Sequence, residues 1–397
     1  MTACLLMALL TMVAMITDTL CQISIRSRWT DGKRAWRLRS HLLLLCAATL
    51  SATFTPRAEA GLHEGGEYDS LASFYNSTNG ANWTNSSGWL SGDACGWLGI
   101  TCDQDTNPDD NTSHVTDVFL TANNLSGSIP SLLGLTNLQT FNVGYNQLTG
   151  SIPSLAGMNY LVTFWANDNQ LTGTIPALAG LTNLQVFSVG NNQLTGSIPT
   201  LAGLNLRGFG ADSNQLTGEI PSLEGLTNLR GFSVFSNHLT GPIPALDGSP
   251  NLEFVGLSFN QLTGTIPSLS SLTHLQSFYV EHNQLTGPIP PLDGLVFLVY
   301  FFANSNQLTG SIPSLAGQKI LQWFYVGANQ LSGAVPSAPE TLTGASLCPN
   351  LLDTTPQPTI DPTWNSLSYY PPWWAIPYST NQCDDLFTDG FGDPIIH

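Results

Sequence analysis

A 23-residue period constrains this chain more than any other feature. The pentapeptide NQLTG begins at Asn146, Asn169, Asn192, Asn214, Asn260, Asn283 and Asn306, and close variants begin at Asn123, Asn237 and Asn329. Successive asparagines lie 23 residues apart, except for the 22 between Asn192 and Asn214. A fixed period of this length marks a solenoid, whose single coils cannot bury their own apolar face but whose stacked coils can. In unit 135–157, Phe141 and Val143 alternate with Thr140, Asn142 and Gly144, the pattern of a short strand with one face inward. Gly150 and Pro153 punctuate the return path and leave no room for a long helix.

Each repeat asparagine stands where the chain leaves the strand. Its amide can satisfy backbone groups of its own turn and of the adjacent coil, so the ten asparagines are expected to form a structural ladder and not a ligand site. The column Phe141, Phe164, Phe187, Phe209, Phe232, Phe278, Phe301 and Phe324 is expected to be core.

Charge removes whole classes of partner. Residues 1–60 carry a net +4, so residues 61–397 carry −21, the difference from the chain's −17. A surface this acidic repels phosphate backbones, which argues against nucleic acid, and it disfavours anionic membranes. Residues 1–60 read as a signal or targeting segment: the basic stretch RSRWTDGKRAWRLRS precedes the apolar HLLLLCAATLSATF, and AEA ends at Ala60. This run and the earlier CLLMALLTMVAMI are both shorter than a membrane span, and no later run is long enough for one. The remainder keeps Cys95, Cys102, Cys348 and Cys383. Four cysteines allow three pairings; proximity in sequence favours Cys95–Cys102 and Cys348–Cys383.

The unit LxxLxxFxVxxNxLTGxIPxL resembles the plant-type leucine-rich repeat. It departs from it in carrying Phe or Val where Leu is usual and in a period one residue shorter. Ahead of it, YDSLASFYNSTNGANWTNSSGWLSGDACGWLGITCD resembles that family's N-terminal cap, through Cys95, Trp97, Gly99, Ile100 and Cys102. The resemblance implies an α/β solenoid: a right-handed horseshoe with one parallel strand per repeat on the concave face, a convex side of short 3-10 or irregular segments, and caps at both ends. The expected organisation is a targeting segment at 1–60, an N-terminal cap at 61–114, ten repeats at 115–345, and a C-terminal cap with a Pro- and aromatic-rich tail at 346–397. That tail resembles those of secreted bacterial repeat proteins, which implies a bacterial source.

Aromatic residues crowd the outward strand positions of the last three repeats. Tyr279, Phe302 and Tyr325 share one column, with Tyr300 and Trp323 beside them, and Glu281, His282 and Asn304 follow on the same coils. Rings offer flat apolar area at low entropy cost, and the polar groups could fix a ligand's orientation. Strand packing, or coverage by the tail, would also account for the rings. Asp103, Asp105, Asn107 and Asp109 alternate in the cap loop with oxygen ligands suited to calcium. Pro108 and His114 stand where a calcium loop needs Gly and Glu, and a polar hairpin tip explains the loop better. No nucleophile–base motif or paired carboxylates across a cleft are found, so no enzyme and no cofactor are expected.

The expectation is a secreted or cell-surface, non-catalytic recognition or adhesion protein that binds an extracellular protein, peptide or glycan through its concave face. Two alternatives are an inhibitor of secreted cell-wall hydrolases, which the family resemblance implies, and a structural solenoid associating with ice or matrix through its regular Thr and Asn rows.

Overall fold

The computed structural model describes residues 66–103, 113–352 and 364. The chain divides into units 1–59 and 60–397, and every described residue belongs to the second. The leader, Asp105, Asn107, Asp109, Cys383 and the tail other than Trp364 lie outside the described residues.

The described chain opens with a helix at Glu67–Ser77. Glu67 and Asp69 in its first turn oppose the positive end of the helix dipole. Leu71 and Phe74, three residues apart, bury one stripe. Thr78 ends the helix, its N–H (3.0 Å) and its hydroxyl (2.6 Å) both donating to the Phe74 carbonyl. Trp89 packs between Trp83 and Trp97, with ring centroids 4.8 and 4.9 Å away. The Cys95–Cys102 disulfide forms as expected and ties this cluster to strand Ile100–Cys102, which pairs antiparallel with Val115–Phe119.

From Val115–Phe119 onward the sheet is parallel. Its strands are Thr140–Asn142, Thr163–Trp165, Val186–Ser188, Gly208–Gly210, Gly231–Ser233, Phe254–Gly256, Ser277–Tyr279, Tyr300–Phe302, Trp323–Tyr325 and Gly344–Ser346. Each three-residue strand points its middle side chain inward, and every rung pairs the same positions, as in Phe278 with Phe301. The phenylalanines therefore stack. Successive ring centroids from Phe141 to Phe232 lie 5.3–5.8 Å apart, Val255 interrupts, and Phe278, Phe301 and Phe324 resume at 5.6 and 5.4 Å. Phe74 meets Phe141 edge-on at 5.8 Å. At the far end Trp364 covers Phe324 at 6.5 Å, and its indole N–H donates to the Pro336 carbonyl.

The asparagine ladder is built as expected. The Asn237 amide donates to the carbonyls of Ala211, Val234 and Phe235, and its Oδ1 accepts the Leu216 N–H. The same pattern recurs along the stack, for example at Asn283. The ladder has a further rung that the period does not reveal. Asn350 accepts from Leu331 N–H and donates to Val326 and Leu347 carbonyls, so Gly344–Ser346 begins an eleventh coil.

The return side is more regular than an irregular convex path. Short parallel strands such as Gln147–Thr149, Gln215–Glu219 and His238–Thr240 form a second ladder, with single bridges such as Thr174 to Thr195 between them. The cause is local. Gly196 and Gly287 adopt φ of 75° and 73°, and a Cβ there would strike the Thr174 and Thr265 methyls of the preceding coil at 2.9 and 2.8 Å. Glycine keeps these faces flat.

Candidate binding face

Three of the predicted rings form one column on the solvent side of the long sheet. Tyr279 and Phe302 lie 5.0 Å apart and tilted, and Phe302 stacks on Tyr325 at 4.8 Å. Tyr300 stands edge-on to Phe302 at 6.3 Å, and Trp323 edge-on to Tyr325 at 6.0 Å. All five are half-buried, and burial pushes the Tyr325 hydroxyl up to about 12. The sequence placed these residues by rung position alone, and in-phase pairing brings them together.

Two neighbours extend the face. Phe254 meets Tyr279 edge-on at 5.6 Å, and its ring lies across Gly256, where a Cβ would collide at 2.8 Å. Trp323 lies against Gly344 of the eleventh coil, where any side chain would strike the indole. Phe254 shares the column of Tyr300 and Trp323, a signal available in the sequence. Gly344 carries none, because its coil breaks the period. Toward the cap the same columns hold Gly208, Gly210, Gly231 and Ser233, which separate this contiguous aromatic area from the single rings of Phe119 and Trp165.

The three polar residues are placed less uniformly. His282 is exposed and stacks on Phe259 at 4.4 Å. Glu281 and Asn304 are buried, although as surface groups they were expected to meet solvent. Both occupy the position two before a ladder asparagine, as does the buried Ser258, whereas Asn167, Asp212 and Phe235 at that offset are half-buried. Glu281 Oε2 has no hydrogen-bond partner, and neither has the Oγ of Ser258 in the preceding coil. Burial raises the Glu281 carboxyl from 4.5 to about 7, against the smaller lowering effects of the Ser258 hydroxyl and of the residue's own backbone.

That shift has a definite sign. A carboxyl whose folded pKa is raised favours the fold while protonated, so stability is fully present below the ordinary carboxylate range and is lost as pH rises toward and through 7. The loss at pH 8 amounts to ~3 kcal/mol. Glu281→Gln removes this dependence. Its melting temperature is expected to exceed that of the wild type at pH 8 and to match it at pH 4, as thermal melts across that range will show.

The weak calcium candidate gains no geometry. Asp103 Oδ1 accepts the His114 N–H at 2.6 Å, its three partners lie outside the described residues, and no metal-binding group of three or more His, Cys, Asp or Glu occurs among those described. Cys348 is disulfide-bonded; the expected partner, Cys383, lies outside the described residues. Arg230 pairs with Glu253 at 2.8 Å, each one residue ahead of its strand, a contact worth ~0–1 kcal/mol.

Comparison with known proteins agrees with this architecture. Residues 65–103 match the leucine rich repeat N-terminal domain, and residues 137–158 match the Leucine Rich Repeat. The fold is a leucine-rich-repeat solenoid of the plant type with that N-terminal domain in front, resembling plant receptor ectodomains. A plant peptide hormone receptor, RGFR1 in complex with RGF2, is 32% identical (TM-score 0.57), over 58% of this chain and 39% of the receptor chain. The ectodomain of the Arabidopsis receptor kinase HAESA, in complex with an N-terminal extended IDA peptide hormone, is 28% identical (TM-score 0.62), over 72% of this chain and 49% of that one. A plant ice-binding protein is 28% identical (TM-score 0.57), over 70% of this chain and 90% of that one. The chain thus spans less than half of either receptor chain. No curated protein matches it. The bacterial source implied by the tail is not supported. The N-terminal domain, its disulfide and the ectodomain likeness point to an extracellular location. No helix among the described residues is long and apolar enough to cross a membrane.

Proposed function

We propose that this is a non-catalytic extracellular recognition protein, secreted or held at the cell surface, that binds an extended peptide segment on the sheet face of its last four complete repeats. One observation carries the reading: Phe254, Tyr279, Tyr300, Phe302, Trp323 and Tyr325 make a contiguous half-exposed aromatic surface, while the same columns hold no ring from Val186 to Ser233, and Phe119 and Trp165 stand apart nearer the cap. Rigid rings anchor a ligand at small entropy cost, and a confined patch of this kind marks an interface. The peptide complexes of the similar receptors support the choice of ligand class.

Binding is tested on a panel of extracellular peptides, proteins and cell-wall glycans. Trp323→Ala and Tyr300→Ala are each expected to weaken the productive interaction about 30-fold or more, the effect of losing a central anchor. Equal affinity in the wild type and both variants would remove the face from the reading. A glycan as the productive class would keep the face and change the ligand.

A second reading has its own observation. Thr149, Thr172, Thr195, Thr217, Thr240, Thr263, Thr286 and Thr309 form an exposed row on the second ladder, at a rung spacing of ~4.8 Å. The Thr149, Thr195 and Thr286 hydroxyls each donate to a glycine carbonyl of the preceding coil at 3.2 Å, which fixes their rotamers. A flat, ordered row of hydroxyl and methyl groups suits association with ice, and a similar plant protein is an ice-binding one. The asparagine row cannot share this role, since its amides are spent on the backbone. Thermal hysteresis that is lost in Thr172→Tyr/Thr195→Tyr/Thr217→Tyr and retained in Trp323→Ala would establish it. Its absence in the wild type would end it.

A further inference from the structure

Glu281 and Ser258 are the least explained polar side chains of the aromatic face. They stand in adjacent coils, in the column two residues ahead of the ladder asparagine, and are 5% and 3% exposed. Glu281 Oε2 and Ser258 Oγ are both buried without a hydrogen-bond partner. Buried polar atoms are almost always satisfied, and an unmet one destabilises the fold. A buried carboxylate lacking a partner needs a donor, and the strongest donors are cations.

No Lys or Arg among the described residues pairs with it. Among the described residues the only Lys and Arg are Arg207, Arg230 and Lys319, Arg230 is held by Glu253, and neither of the two ion pairs involves Glu281. The groups around the carboxyl are Ser258 on the preceding coil, Asn304 on the following one, and Tyr279 and His282 on its own. Tyr279 of the same coil and Phe302 of the next, whose centroids lie 5.0 Å apart, carry the aromatic column past this position. Aromatic faces and a carboxylate both attract a cation, and the −21 carried by residues 61–397 draws basic partners toward the whole surface.

We propose that Glu281, with Ser258 beside it, is the floor of a subsite for a cationic group of the ligand, an ammonium or guanidinium whose alkyl stem lies along Tyr279 and Phe302. The subsite rests on the peptide reading above and narrows it to a peptide with a basic residue opposite the seventh and eighth repeats. Occupancy supplies the missing positive charge, so the carboxyl that burial holds near 7 returns toward its ordinary range and releases its proton.

The test uses the full chain with 13C-labelled glutamate, and n-butylguanidinium chloride as probe with neutral n-butylurea as control. Saturating butylguanidinium is expected to lower the apparent pKa of Glu281 by about one unit or more, while butylurea leaves it in place. Affinity for butylguanidinium is expected to fall about tenfold or more in Glu281→Gln, which keeps the shape of the side chain, and to survive in His282→Gln. An unshifted Glu281 titration, or equal affinity in wild type and Glu281→Gln, overturns the proposal. The two readings fail separately. Panel binding that needs Trp323 but not Glu281 leaves the aromatic face standing without this subsite. A guanidinium-dependent Glu281 shift in a protein that recognises no peptide leaves a cation site without the peptide.

Discussion

Replacing Asn237 by alanine will unfold the middle of the solenoid at conditions the wild type survives, at a cost of ~3–4 kcal/mol. The Asn237 side chain makes four hydrogen bonds, to the carbonyls of Ala211, Val234 and Phe235 and from the Leu216 N–H. The residue is buried, so water cannot take over these roles without entering the stack. Each buried backbone group left unmet costs ~1–3 kcal/mol, and partial relaxation keeps the sum below the full total. Asn237→Asp sharpens the test. It keeps the acceptor for Leu216 but places carboxylate oxygen against three carbonyls, so its loss is expected to equal or exceed that of alanine above the carboxylate range and to shrink on acidification. Urea melts at pH 4 and pH 8 separate the two variants. Alanine and wild type melting together would make the ladder ornamental.

The second large effect is expected at Phe301. Its ring is wholly buried between Phe278 and Phe324, at 5.6 and 5.4 Å. Phe301→Ala deletes that volume from a stack with little freedom to collapse, since each coil is pinned on one side by the long sheet and on the other by the ladder. The expected loss is ~3–5 kcal/mol. Because each coil contacts only its neighbours, the damage should be local. Hydrogen exchange is expected to quicken in strands Ser277–Tyr279 and Trp323–Tyr325 and to leave Val186–Ser188 unchanged. Uniformly quickened exchange would mean that the coils unfold as one unit. The same variant separates stability from recognition, because Phe301 points away from the solvent face that carries Tyr300 and Phe302.

Position within the period made most of this fold legible. Phe141 and Asn146 recur at fixed offsets, and a residue at a fixed offset has a fixed environment once the coils stack in phase. That is why the inward phenylalanines, the asparagine ladder and the column of Tyr279, Phe302 and Tyr325 could be placed from letters alone. Residues whose environment depends on what the neighbouring coil lacks were not legible. Glu281 reads as a surface carboxylate until one knows that it is buried and that Ser258 and Asn304 occupy the same position on the adjacent coils. Gly344 and Asn350 read as the start of a tail because Asn350 follows Asn329 by 21 residues and is followed by Leu-Leu-Asp-Thr in place of Gln-Leu-Thr-Gly. Trp364 gave no sign of its partner, since only the exposed end of the phenylalanine stack creates a seat for it.

Constant register has a consequence for how far apart the two ends of this molecule work. Every parallel rung of the long sheet pairs equivalent positions, from Asp117 against Thr140 to Trp323 against Gly344. The chain is therefore a ruler graduated in steps of ~4.8 Å, with the disulfide-tied cap at its origin and the aromatic face at its last marks. Whole coils can be removed from or added to the glycine-lined stretch around Gly208 and Gly231 without disturbing either end. The distance between the cap and the aromatic face is then a quantity that copy number alone can set.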